Sequence, residues 1–137
     1  MASRRDAVAP TVERILRAAK GAGLSGEQRD NLAVASAEAL SNAVVHGHRL
    51  VPHRPVRVVV IVERLACAIV EVTDSGPGFD VTNLNDPTDP RHLLTPGGRG
   101  VFLMRSLVDG VEFNQQGNRV RLTVRRQPVK RPRRPHR

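Results

Sequence analysis

Glu38, Asn42 and His46 recur at every fourth residue within one stretch of the chain, residues 33–49 (AVASAEALSNAVVHGHR). On a helix that spacing stacks the three polar side chains in a line. A carboxylate one turn from an amide can act as a general base beside an oxygen that ligates a metal ion. The setting of the line supports such a use. Ala35, Ala39 and Val45 flank it, in place of the lysines and glutamates of a solvated helix face. A half-exposed helix whose polar residues align by chance gives the same pattern, so the spacing is not sufficient alone.

Several elements must position this line. At 100° per residue, Leu32, Leu40, Ala43 and Val44 fall on the opposite side of the same helix, which is its core face. Ser25 with Gln28 three residues later predicts a capping box at the helix start, and Gly47 predicts a stop near His46. Val8, Val12, Ile15, Leu16 and Ala19 predict an earlier amphipathic helix over about residues 7–20, ended by Gly21 and Gly23. The β-branched runs 56–62 and 65–73 predict an antiparallel hairpin around Glu63-Arg64, with Ala66, Ala68, Val70 and Val72 sharing one face. Residues 80–96 are rich in Asp, Asn, Pro and Thr, and a loop that long in a compact domain is usually functional. A helical pattern over Val101–Val108 follows, then a closing hairpin of 111–114 and 119–125 around residues 115–118. This order predicts an α+β fold, a two-layer sandwich with helices on one face of a mixed, mostly antiparallel sheet.

Composition narrows the function classes. The 137 residues suit one domain, and 39% hydrophobic with 26% charged residues is ordinary for a soluble protein. The longest apolar run is too short to span a bilayer, and no signal-peptide pattern is present. These features predict a cytoplasmic protein. The single cysteine, Cys67, excludes an intramolecular disulfide and a thiolate metal cluster, and is expected as a small buried residue in a strand. His46, His48 and His53 lack the paired spacing of zinc motifs. The net charge of +9 suggests nucleic acid until it is mapped. Residues 125–137 hold seven Lys/Arg and no acid, which leaves 15 Lys/Arg against 13 Asp/Glu, or +2, in the rest. The expected division is a domain over 1–126 and a disordered basic Pro/Arg tail over 127–137, best read as solubilising. With three Phe and no Tyr or Trp, base-stacking platforms are not expected.

Two glycine-rich stretches add chemistry. Asp74-x-Gly76-x-Gly78 follows a strand directly, where the Asp can accept an amino proton from a base edge and the glycines let a ligand come close. The same residues make good turn chemistry. Gly97-Gly98-Arg99-Gly100 opens a helix, where free N–H groups and the helix dipole favour a phosphate. It can also serve as a lid hinge. A Rossmann site is disfavoured, because the Asp-Gly-Gly stretch leads into a loop rather than a helix.

Glu38-x-x-x-Asn42, Asp74-x-Gly76-x-Gly78 and Gly98-x-Gly100, in this order, resemble the boxes of the GHKL ATPase superfamily of gyrases, sensor histidine kinases, mismatch-repair ATPases and a class of chaperones. Within it, EALSNAVVHG and GGRGVFLMRSLVDGVEF look most like the anti-sigma factor serine kinases, and the resemblance covers about residues 7–125. It implies that Asn42 ligates the Mg²⁺ bridging the ATP phosphates. Asp74 would bind the adenine amino group, Gly76 and Gly78 would line the base, and residues 80–96 would form the ATP lid. Gly98, Arg99, Gly100 and Val101 would meet the phosphates, and Thr123 would sit near Asp74 under the adenine. Glu38 would take the proton from a protein serine. A sensor histidine kinase would need a further helix pair carrying its phospho-accepting histidine, for which this chain has no room. The family usually opens with a strand before its first helix, whereas here only MASRRD precedes it, so the sheet is expected to lack that edge strand.

The resemblance implies an ATP-dependent serine/threonine kinase that phosphorylates an anti-sigma-antagonist protein and sequesters a sigma factor, with a homodimer possible. The alternative is a non-catalytic ATP-binding module that works by holding a partner protein. Neither a membrane nor nucleic acid, apart from the basic tail, is an expected partner.

Overall fold

The computed structural model describes residues 5–50, 55–74 and 98–128. The first apolar stripe forms α1 (Val8–Ala18), flanked by 3-10 turns at Arg5–Ala7 and Ala19–Ala22. Gly23 ends this run at φ 74°, a left-handed conformation that glycine enters without steric cost.

Helix α2 (Gly26–Leu50) opens on the expected capping box. Ser25 Oγ accepts from the Gln28 N–H at 3.1 Å, and Gln28 Oε1 accepts from the Ser25 N–H at 3.1 Å. Gln28 is buried and also donates from Nε2 to the Arg125 carbonyl at 2.6 Å, which ties the start of α2 to the last strand. Gln28→Leu removes half the cap and orphans that carbonyl. It is expected to cost about 1–3 kcal/mol, seen as a lower urea midpoint with an unchanged slope.

The helix does not stop at Gly47 but continues to Leu50. An interior glycine costs only about 1 kcal/mol, too little to end a helix of this length. Pro52 is the stronger stop, because it lacks an N–H and disfavours helical conformation in the residue before it.

Strands β1 (Arg57–Glu63) and β2 (Cys67–Thr73) pair antiparallel from Arg57↔Thr73 to Glu63↔Cys67. Their turn is Arg64-Leu65-Ala66, one residue longer than expected, with Leu65 left-handed at φ 56°. Cys67 opens β2 half-buried, with its thiol 3.5 Å from Glu63 Oε2. Burial first, and the neighbouring carboxylate second, push that thiol above its ordinary pKa. Helix α3 (Gly98–Leu107) precedes β3 (Gly110–Phe113) and β4 (Arg119–Arg125). It begins earlier than expected, so Gly98-Arg99-Gly100 form its first turn.

The strand order is β1-β2-β4-β3 and every pairing is antiparallel. Ala68, Val70 and Val72 of β2, with Val120, Leu122 and Val124 of β4, face the helices and pack with Ile15, Leu32, Leu40 and Met104 in one core. The two-layer α+β arrangement is therefore as the element order predicts. No strand lies outside β1 among the described residues, and no described helix is long and apolar enough to cross a membrane. Ser36 lies fully inside the core, and its Oγ has no hydrogen-bond partner among the described residues. Ser36→Ala is therefore expected to stabilise by about 1 kcal/mol, raising the calorimetric melting temperature by roughly 4 °C.

Candidate functional site

Helix α2 sets Glu38 and Asn42 one turn apart, both half-buried, beside the buried Ala35 and Ala39. Helix α3 meets this line at Gly100. A methyl group there would lie 2.9 Å from Glu38 Oε2 and 3.1 Å from Asn42 Nδ2. Real side chains essentially never sit so close, so the approach requires glycine. Three of the sequence-predicted residues are thereby brought together. The first-turn N–H groups of α3 have no partner within the helix and carry the positive end of its dipole, which suits an anion at this point. Gly98 and Arg99 complete the turn and Val101 anchors it in the core, 4% exposed. The side chains of Arg99 and His46 lie outside the described part, as do Gly76, Gly78 and residues 80–96.

Asn42 also borders a small pocket between α2, α3 and the ends of β2 and β4. Its walls include Ala39, Ala43, Val72, Met104, Phe113 and Val120, with Asp74, Asn118 and Arg119 as further polar members beside Asn42. Apolar walls with a few polar groups are the usual make-up of a small-molecule site. Asp74 enters it from the end of β2, held by its N–H donating to the Asn118 carbonyl at 2.9 Å. The β3–β4 turn in turn holds Asn118. Asn114 Oδ1 accepts its N–H at 3.0 Å, Asn114 Nδ2 donates to its Oδ1 at 2.6 Å, and Gly117 turns the chain at φ 72°.

Thr123 is not part of this arrangement. The β2–β4 register sets it opposite Ile69, whereas Thr73 faces Arg119. Asp74 lies five residue steps along the strand from Ile69, roughly 16 Å. Thr123 also lies on the sheet face turned away from the helices, alternating with the buried Leu122 and Val124. The residue preceding β4 that does reach Asp74 is Asn118, which lies in the expected turn 115–118. The sequence held no signal for this, since the runs 65–73 and 119–125 that it predicts differ in length and do not fix their register against each other.

Among the described residues, no group of three His, Cys, Asp or Glu could hold a metal ion. Asn42 under a helix N-terminus instead fits an ion that takes most of its ligands from phosphate and water, as Mg²⁺ does.

A family model described as "Histidine kinase-like ATPase domain" matches residues 1–124. The serine-protein kinase RsbW of Oceanobacillus iheyensis is 31% identical over 100 residues, which cover 69% of this chain and 63% of that protein. The chain thus spans less than two thirds of the length of that relative. With the family match extending over both the Glu38/Asn42 helix and the Gly100 turn, the chain belongs to the histidine kinase-like ATPase domain family.

Proposed function

We propose that this chain binds Mg²⁺-ATP and acts as a serine/threonine protein kinase of the anti-sigma type, working in the cytoplasm. It phosphorylates an anti-sigma-antagonist protein and holds a sigma factor until that antagonist is available unphosphorylated. One observation above all supports this: α3's first turn lies directly on Glu38 and Asn42. A base, a metal-ligating amide and an anion-binding helix start share one point, beside a pocket that contains Asp74.

Asp74 accepts the adenine amino group, with Asn118 fixing its backbone, and Gly76 and Gly78 let the base approach. Gly98, Arg99, Gly100 and Val101 would receive the phosphates on their N–H groups. Asn42 Oδ1 would hold the Mg²⁺, which would supply neutralisation of the phosphate charge. Glu38 takes the proton from the incoming serine hydroxyl. That oxygen bonds to the γ-phosphorus as the bond to the β–γ bridging oxygen breaks, and ADP leaves.

The test is incubation of the full chain with Mg²⁺-ATP and the antagonist protein that co-purifies with it. Mass spectrometry should find phosphate on one serine or threonine of the antagonist. Retained ATP binding with no transfer would replace the kinase by a non-catalytic ATP-binding module that holds its partner.

A further inference from the structure

We infer that the water-facing side of α2 around Glu38 is the docking surface for the protein substrate, and that it takes a serine or threonine flanked by apolar side chains. This rests on the reading of Glu38 as the base. A helix left to water carries charge on its outer face, as α1 does with Glu13, Arg14 and Arg17. Helix α2 does not. From Asn31 to Val45, about four turns, its one charged residue is Glu38. Val34 and Val45 are 46% and 39% exposed there. At 100° per residue Val34, Glu38 and Val45 fall within about 40° of one another, so the two valines bracket the carboxylate on one stripe. Scattered exposed valines are ordinary, whereas these two line up through the only charge on the stripe.

The pocket residues of the same helix identify the occupant as the substrate protein and not the nucleotide. Ala39 and Ala43, which wall the pocket, lie roughly 120° and 160° round the helix from this stripe, with Asn42 between. The nucleotide thus takes one side of the Glu38/Asn42 line. The other side is the one from which a hydroxyl reaches the carboxylate. Spacing then sets the footprint. Val34 and Val45 lie about 6 Å and 10 Å along the helix axis from Glu38, in opposite directions. In an extended segment those distances reach residues about two places to one side of the serine and three to the other. The partner carries apolar side chains at those places and no acidic ones, which Glu38 would repel. Covering Val34 and Val45 also excludes water from the base and the serine oxygen.

Calorimetry of the full chain with the purified antagonist, in Mg²⁺ and a non-hydrolysable ATP analogue, tests this, with circular dichroism to check folding. Val34→Gln with Val45→Gln adds no charge beside Glu38 and suits a helix. That pair is expected to weaken antagonist affinity roughly tenfold or more, with affinity for the ATP analogue as in wild type. Val34→Ala with Val45→Ala raises helix propensity and is expected to lose affinity likewise, so the result does not hang on the Gln pair folding. Val34→Ile with Val45→Ile keeps the apolar stripe and is expected to retain affinity. Leu65→Asn, which removes an exposed apolar side chain from the β1–β2 turn, is expected to change nothing. Folded Gln and Ala pairs that bind the antagonist as wild type does would overturn the inference. So would lost affinity for the ATP analogue in place of the antagonist, which would assign the stripe to the nucleotide site. A wild type that binds no antagonist would overturn both this surface and the kinase reading. One that binds it but transfers no phosphate would overturn the kinase reading alone, because affinity is read without transfer.

Discussion

Glu38→Gln is expected to slow phosphate transfer to the antagonist by about 10²–10⁴-fold while leaving Mg²⁺-ATP affinity unchanged. The substitution keeps the size and hydrogen-bonding reach of the side chain but removes the group that takes the serine proton. It leaves Asn42, Asp74 and the first turn of α3 in place, so the nucleotide loses no contact assigned to it. Single-turnover transfer measured beside calorimetric affinity separates the two quantities. A variant that transfers phosphate at the wild-type rate would remove Glu38 from the chemistry. One that lost binding as well would make it part of the nucleotide site instead.

Gly100→Ala should have the second-largest effect, and an unusual combination of effects. The added methyl falls on Glu38 Oε2 and Asn42 Nδ2, both at the far ends of flexible side chains. The fold can therefore yield, and alanine gains about 1 kcal/mol over glycine in helix propensity. The same yielding moves the base and the metal-ligating amide off their positions. Misplacements of about 1 Å cost on the order of 10²-fold in rate. The expected result is a protein with an undiminished melting temperature and a transfer rate about a hundredfold lower. A fully active Gly100→Ala would mean that neither side chain needs the position it holds against α3.

Which parts of this site were legible in the sequence follows from how local each signal is. The Glu38/Asn42 line and the Leu32, Leu40, Ala43 and Val44 stripe share one helix, and all four stripe residues are buried. The capping box and both hairpins also involve neighbours in sequence, and the structure contains them. Gly47 misled because a single glycine is a weak stop inside a helix stabilised by tertiary packing. Thr123 misled for a different reason. Strand alternation fixes which face a residue is on, not how far along a partner strand it lies, and register between β2 and β4 is a non-local property. The role of Asn118 was hidden because its contribution to Asp74 is a backbone carbonyl, which any residue type can supply. The contact of Gly100 with α2 was implied by the glycine boxes only through the family resemblance. It takes the packed helices to show what the glycine makes room for.

Calorimetry of Mg²⁺-ATP binding, with wild type and Asn42→Ala compared in the presence and absence of Mg²⁺, tests the central claim most directly. The site described here predicts Mg²⁺-dependent binding by the wild type that Asn42→Ala loses, with both proteins folded. Binding that is equal in the two proteins, or that is indifferent to Mg²⁺, would contradict it.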